Sequence, residues 1–591
     1  MIRYRRKSTL IDKKFKEYLW ANIFAGIAMS ANVIVDGIIV GNLLGSMALA
    51  AINIAAPVLL LVTTVVAVLG IGGATAAAVQ KGERQQRMAN IIYTVCILTM
   101  LVMGAGFFLI GNVFFQDIMG FFPLQDESLY VLVGQFLRPI FLAVPLLTLA
   151  AVMQFFVGAD GHPGLVMKMA MLNSAVNLCM DVVYIKFFSM GIAGAAWATV
   201  TGFAAALLVV ALFYWRRNAH YLRTLALCKI SLQDVKCLGN VTSLGIITAS
   251  FQFFMFLQLF FLNDMVLVSF GAVGMIALSL CMNCRSLIGI IINGVLDTLG
   301  PILGMLLGER DLQGIRFLLK RTWRFVFLAG FGILVLLEVM PEIILTIYGV
   351  TAGSERVMSV HALRLFALSI PLSGFTVVIA EYYQVIGELK LAIFVSFVEG
   401  ILGIVLTVYF LLACLGPDAI WGAFALSELL TVLVIFAGSH YCARHSQGKK
   451  KGVFLLQQTD EAAQTIYEVT ARSIALDAVQ VSADIIKTAK QSGIEDKICG
   501  LLGMAVEEVL MELKEQNKKE CDVDIMVRSF DAQMVMAFRD NGIACNYLKD
   551  AALPEKELAV SNLGLLARMA AEVKYDYVMG FNCMRVVIKR S

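Results

Sequence analysis

Residues 158–202 read GADGHPGLVMKMAMLNSAVNLCMDVVYIKFFSMGIAGAAWATVTG. Two apolar runs are separated here by the short break FFSMG. A bilayer-spanning helix takes about 20 mostly apolar residues, so the stretch is predicted to lie in a pair of spans at 164–188 and 191–215. Within the first run Asn173, Asn177 and Asp181 recur every four residues. That spacing stacks them on one helical face, one turn apart. An acidic residue at the centre of a membrane helix costs about 2.5–3.5 kcal/mol on insertion scales, so Asp181 needs a reason to be there.

Outward from this pair the same pattern continues. Ten further runs lie near 17–42, 48–80, 89–114, 128–157, 241–269, 274–307, 321–345, 359–384, 390–414 and 419–441, twelve spans in all. The chain of 591 residues is 59% hydrophobic and only 15% charged, with mean hydropathy +0.82. Soluble domains carry about 25% charged residues, which excludes an ordinary soluble enzyme. The charge is uneven: residues 461–591 hold 36 of the 90 Lys, Arg, Asp and Glu side chains, so a soluble domain follows a membrane domain. A net charge of +4 is too small to point to nucleic acid. The first seventeen residues are basic, and the run behind them is too long for a cleavable signal peptide. Basic residues recur in every second connection: Lys81, Arg84 and Arg87, then Arg216 to Lys236, then Arg310 to Arg321, then Arg444 and Lys449 to Lys451. By the positive-inside rule both termini are expected in the cytoplasm.

The chain also repeats itself. A shift of 226 residues superposes Gly45 on Gly271, Gly82-Glu83-Arg84 on Gly308-Glu309-Arg310, Arg138 on Arg364, Pro145 on Pro371 and Gly161 on Gly387. Two more residues of shift bring Ile192 and Gly194-Ala195 onto Ile420 and Gly422-Ala423. Each half has six spans, so both enter the membrane the same way round, an arrangement seen in transporters with a cleft between two lobes. The expected fold is an all-α polytopic membrane protein of two six-helix lobes with a C-terminal α/β sandwich domain.

Asp36 is the only charge between Glu17 and Lys81, deep in the first span. Two buried carboxylates brought together can hold a proton or small cation in one state and release it in another. The alternative is hydrogen bonding between helices, or an Asp181 that snorkels to the surface. In the second half Asp36, Asn177 and Asp181 fall on Leu262, Gly403 and Thr407, so the polar site belongs to one half. Asp264, Arg285, Asp297, Glu381 and Glu399 lie in apolar second-half runs, as candidates to line the cleft or as simple ion-paired groups. Cys281 and Cys284 form a lone C-x-x-C in an apolar run, without a second pair for zinc. The 28 Met and 38 Phe suit an adaptable wall for hydrophobic ligands, although membrane helices are rich in both.

VIVDGIIVGNLLG around Asp36, GIGGATAAAVQKGERQ after it, and the 158–202 stretch together resemble the multidrug and toxic compound extrusion (MATE) family over roughly residues 15–441. In one branch of that family the first lobe binds the coupling cation. Carried over position by position, the resemblance implies Asp36, Asn177, Asp181 and, from GAAWAT, Thr199. This chain departs from the family by having no proline in its first span, and Val-Val after the Asn-x-x-x-Asp where proline is common.

The tail has its own resemblance. AVEEVLMELKEQ, FRDNG, SNLGLLARMAAEVKY and GFNCMRVVIKR are similar to histidine-kinase-type ATPase domains of the anti-sigma-factor branch. The resemblance implies a base at Glu508, an adenine-reading Asp540, and lid glycines at Gly542 and Gly564. Glu512 stands where that family has its magnesium-binding asparagine, and Ala544, Ser561 and Asn562 replace glycines, which weighs against phosphoryl transfer. The residue pattern predicts a strand at 465–471, helices at 474–492 and 495–516, a hairpin at 522–530 and 533–539, a helix at 563–573 and strands at 574–579 and 582–589.

The expected organisation is a basic segment (1–16), a first lobe (17–215), a linker (216–240), a second lobe (241–441), a linker (442–460) and the ATPase-like domain (461–591). The reading is an antiporter of the cell membrane, coupled to H+ or Na+, that exports hydrophobic or cationic small molecules. The tail is then a regulatory domain for ATP or for a cytoplasmic regulatory protein. A lipid or lipid-linked-sugar flippase, and a receptor with a kinase-like output domain, are the rival readings.

Overall fold

The computed structural model describes residues 6–120, 127–216, 227–231, 233–347, 353–446, 450–457, 464–517, 519–530, 533–544 and 570–589. The chain is mostly helical. Among the described residues eleven helices are long and apolar enough to cross a membrane, and a bent pair makes a twelfth. In chain order they are α1 (Thr9–Leu44), α2 (Ser46–Gly82), α3 (Gln86–Val113), α4 (Glu127–Ala159), α5 (Pro163–Phe187) and α6 (Ile192–Arg216). The second half repeats the set with α7 (Asp234–Gly271), α8 (Val273–Gly308), α9 (Leu312–Val339), α10 (Glu355–Ala367 and Ile370–Val385, bent by 43°), α11 (Leu389–Leu415) and α12 (Pro417–His445).

The repeat is written into the backbone. Gly45 and Gly271, equivalent under the 226-residue shift, both have positive φ, at 86° and 59°. Arg84 and Arg310 pair in the same way, at 63° and 56°. The left-handed region is costly for an arginine, so its reuse at both positions marks one turn built twice.

Lipid gives helices no hydrophobic reason to associate, so close approach rests on small residues. The two halves meet along α2, which packs on α7 and α8. A Cβ at Gly72 would stand 2.2 Å from the Val241 carbonyl oxygen, and one at Gly82 would stand 2.2 Å from that of Met305. Gly245, Gly304 and Gly308 answer from the other side, against Val68, Ala78 and Val79. Asn22 on α1 donates to Thr298 Oγ1 on α8 at 3.2 Å. These contacts gather at one end of the bundle, the end that carries the C-terminal domain, here termed the proximal end. Farther along α1, Val33, Ile34 and Ile38 are exposed.

The C-terminal domain has a five-stranded antiparallel sheet of order β3-β4-β5-β7-β6: β3 (Gln464–Arg472), β4 (Asp522–Ser529), β5 (Gln533–Asp540), β6 (Glu572–Val578) and β7 (Phe581–Lys589). Two helices, α13 (Ala475–Gln491) and α14 (Asp496–Gln516), cover one face. Strand alternation explains why. Val469, Ala471, Val523, Ile525, Val527, Met534, Met536, Phe538, Met584, Val586 and Ile588 pack under the helices. The intervening Glu468, Asp524, Arg528, Arg539 and Cys583 point the other way, onto the membrane helices.

Some expectations need correction. The helix read at 563–573 has its early part outside the described residues, and Glu572 and Val573 belong to β6 instead. The β-branched alternation of EVKYDYV wins there over the helical pattern before it. Within the basic segment 1–16, α1 already begins at Thr9 and buries Leu10, Ile11 and Phe15. Within 442–460, α12 runs on to His445, and Lys450–Lys451 (β1) pairs with Leu456–Gln457 (β2). Tyr382 and Tyr383 of α10 anchor that hairpin by donating to the Phe454 and Val453 carbonyls at 2.7 and 2.8 Å.

Candidate functional site

α1 and α5 lie side by side, and two contacts fix their register. Ser174 Oγ donates to the Ala28 carbonyl at 3.1 Å. Two turns further on, the carboxyl groups of Asp36 and Asp181 come within hydrogen-bonding reach. Asn32 and Asn177 fall between those levels. Asp181 is fully buried and Asn177 is 2% exposed. Asn177 Nδ2 donates to Thr199 Oγ1 at 3.2 Å, and Thr199 donates onward to the Ala195 carbonyl at 3.2 Å. The four residues singled out in the first half, Asp36, Asn177, Asp181 and Thr199, are therefore neighbours.

This cluster has too many acceptors. Asn32 Oδ1, Asp36 Oδ1, Asn177 Oδ1 and both oxygens of Asp181 are buried and receive no hydrogen bond from the described residues. A buried polar atom left unsatisfied costs about 1–3 kcal/mol, and such atoms in a native fold call for a ligand, water or ion. An all-oxygen cluster suits a proton or a small hard cation. α5 passes into a π-helical turn at Val183–Phe187 directly after Asp181. Such turns recur at functional sites, and this one stands at the Val-Val where relatives carry proline. Asn32 escapes a reading of the sequence that looks for charges, although its place one turn before Asp36 is the signal that finds it.

The second-half carboxylates divide differently. Asp264 is exposed on α7, and Asp297 is exposed on α8 just before the sealed Thr298. Glu381 on α10 is half-buried and interacts with Asp297. It sits beside Gly300, where an added Cβ would stand 3.2 Å from Glu381 Oε1 and 3.9 Å from Thr75 Oγ1 across the seam between the halves. Glu399, a candidate either to line the cleft or to pair with a charge, lines a cavity of about 180 Å³ among α7, α8, α10, α11 and α12. It faces Arg285 there, as does Glu428, which the sequence reading passed over in the apolar run LSELL. Arg285 Nη1 donates to Gln258 Oε1 at 2.7 Å, and Thr376 Oγ1 donates to Glu428 Oε2 at 2.8 Å. This cluster carries its own cation. Among the described residues no group of three or more His, Cys, Asp or Glu could hold a metal ion.

In the tail, Asp540 Oδ1 accepts from Gly542 N and from Asn582 Nδ2, both at 2.8 Å. Glu508 and Glu512 are half-buried on α14, and Glu512 accepts from Gln516. Gly564 lies outside the described residues. Arg539, next to Asp540 on β5, points to the opposite sheet face and enters a buried ion network. Its Nη2 donates to Glu309, and to Asp311 Oδ2 at 3.0 Å. Arg6 holds Asp311 with two bonds of 2.7 and 2.5 Å, and Arg84 Nη2 donates to Glu309 Oε1 at 2.7 Å. Burial alone would raise the Asp311 carboxyl, but the Arg6 and Arg539 guanidinia override it and hold the group far below the usual carboxylate range. Glu309 follows the same logic: burial pushes it up, Arg539 and Arg84 pull it further down. The sequence reading used Arg6 and Arg84 as markers of orientation and Arg84 and Glu309 as part of the repeat.

Comparison with known proteins follows the membrane domain closely. A transporter of the MOP superfamily from Pyrococcus furiosus superposes with TM-score 0.66 at 18% identity, over 76% of this chain and 100% of the other. A multidrug resistance MATE transporter in an outward-facing conformation gives 0.66 at 18% identity, over 74% and 97%. A MATE transporter from Vibrio cholerae gives 0.67 at 16% identity, over 76% and 99%. No curated protein sequence matches the chain. The MatE family profile matches residues 22–183 and 248–409, one segment in each half and together more than half of the sequence. The chain is thus a multi-pass membrane transporter and belongs to the MatE family.

Proposed function

We propose that the protein is an antiporter that exports hydrophobic or cationic small molecules by alternating access, driven by inward flow of H+ or Na+. The observation that carries this reading is the set of five buried acceptor oxygens on Asn32, Asp36, Asn177 and Asp181, none of which receives a hydrogen bond from the described residues. A hydrogen bond between two carboxyl groups needs a proton, and a bare cation would satisfy several of these oxygens at once. Entry of the ion neutralises the pair and changes the relative stability of the conformations in which α1 and α5 are packed or parted. Asp297 and Glu381, beside the seam between the lobes, would hold the positive end of a cationic cargo, with Asp264 higher on the same wall.

The proximal end, with its basic connections, is assigned to the cytoplasm of a cell membrane, and both termini lie there. The C-terminal domain is regulatory and not the motor: Asp540 is engaged by its own chain, and Glu512 stands where the ATPase domains it resembles have their metal-binding asparagine. Full-length protein in liposomes tests the transport reading. Cargo efflux should follow an imposed H+ or Na+ gradient and stop when both gradients are collapsed. Efflux that ignores both gradients would overturn it.

A further inference from the structure

The sheet face opposite α13 and α14 grips both lobes at once. On the first lobe, Lys13 of α1 pairs with Asp522 at 2.7 Å, and Lys14 Nζ stands 5.6 Å above the Phe581 ring. The turn Met579-Gly580 between β6 and β7 lies on Gly161, where an added Cβ would come 2.6 Å from Met579 Cα. On the second lobe, Arg539 reaches Glu309 and Asp311, and Arg528 Nη1 donates to the Glu309 carbonyl at 3.2 Å. Between the grips the lobes touch each other through the same acids, Arg84 to Glu309 and Arg6 to Asp311. Asp524 of β4 closes the ring: it takes Arg6 Nε at 3.4 Å and accepts from Thr470 Oγ1 at 2.7 Å. Arg6, Arg539, Asp311 and Asp524 are all buried.

Parting the proximal ends of the lobes would pull Asp311 or Glu309 away from an arginine with no water at hand. Removing one partner of a buried ion pair leaves an uncompensated charge, which is strongly unfavourable. A domain parked on one lobe would ride along with it. This one is fastened to both.

We propose that the C-terminal domain is an autoinhibitory latch, which holds the proximal mouth shut until it lifts from at least one lobe. The residues that make the latch are Arg539 and Arg528 towards the second lobe, and Asp522 and the Met579-Gly580 turn towards the first. Its meaning for transport rests on the alternating-access reading, but its existence can be tested without transport.

The test uses the full-length chain in lipid nanodiscs. Fluorophores placed through non-canonical amino acids at Arg87 and Lys320, exposed positions on α3 and α9, report the separation of the proximal ends. They are read by single-molecule energy transfer with no cargo and no gradient. Arg539→Gln should raise the fraction of molecules with separated ends by about tenfold or more. Lys13→Glu, at a partly exposed pair that folding tolerates, should raise it by about threefold, and adding Asp522→Lys should return it to the starting value. An unchanged distribution in Arg539→Gln overturns the latch. If that variant does not fold, the Lys13 series decides: no shift, or a shift that Asp522→Lys does not reverse, overturns it equally.

Discussion

The two lobes share one scaffold and treat buried charge in opposite ways. The first holds Asp36 beside Asp181, with unpaired buried oxygens there and on Asn32 and Asn177. The second holds Glu399 and Glu428 around Arg285. Repeat-equivalent positions make the contrast sharp, since Leu262, Gly403 and Thr407 stand where Asp36, Asn177 and Asp181 stand in the first lobe. A lobe with its own guanidinium is electrostatically closer to complete. The first-lobe carboxylates have no cationic side chain described beside them, so a charge from outside would complete the site. One repeated frame therefore carries a guanidinium among the carboxylates of one half and unpaired acceptor oxygens in the other.

The contrast can be broken most forcefully at Arg285. Arg285→Met leaves two buried glutamates unpaired and should lower stability by about 3–5 kcal/mol, read as a fall in thermal unfolding temperature in detergent. Part of that loss should return at acid pH or high Na+, because the altered second lobe then needs an outside cation as the first does. A variant as stable as the parent, with no ion response, would erase the difference between the lobes.

Asp181→Asn keeps the shape of the first-lobe site and removes its exchangeable charge. Coupled export should fall by about 100-fold while expression and unfolding temperature stay near the parent values. Asn32→Ala removes one neutral oxygen and should raise the ion concentration for half-maximal transport by about tenfold, with little change in maximal rate. Asp264→Asn, at an exposed position, should change cargo affinity by less than about twofold. A large effect there would move the cargo site up the wall of the second lobe.

Much of the architecture was legible in the residues because bilayer thickness and strand alternation leave strong periodic signals. The twelve apolar runs, the 226-residue repeat and the hairpin at 522–540 all have their counterparts in the fold. The isolated charge on one span and the i, i+4 ladder on another marked Asp36 and Asp181 as unusual, and only the resemblance to the MATE family grouped them. Asn32 and Glu428 were missed for opposite reasons, one being uncharged and the other hidden in an apolar run. For Glu399 the residues left cleft lining and ion pairing both open, because sequence gives a residue's depth in a span but not which neighbour its helix face meets, and the fold sets it towards Arg285. The ion network of Arg6, Arg84, Glu309, Asp311 and Arg539 was invisible for the same reason, since it joins residues up to 518 positions apart in a ring that includes Asp524.

The central claim is that the first lobe alone carries the exchangeable ion. It is tested most directly by recording cargo-driven H+ and Na+ flux from liposomes holding the full-length protein, Asp181→Asn, or Glu399→Gln. The account predicts flux of one ion in the parent and in Glu399→Gln, and none in Asp181→Asn. Ion flux that persists in Asp181→Asn, or that disappears only in Glu399→Gln, would contradict it.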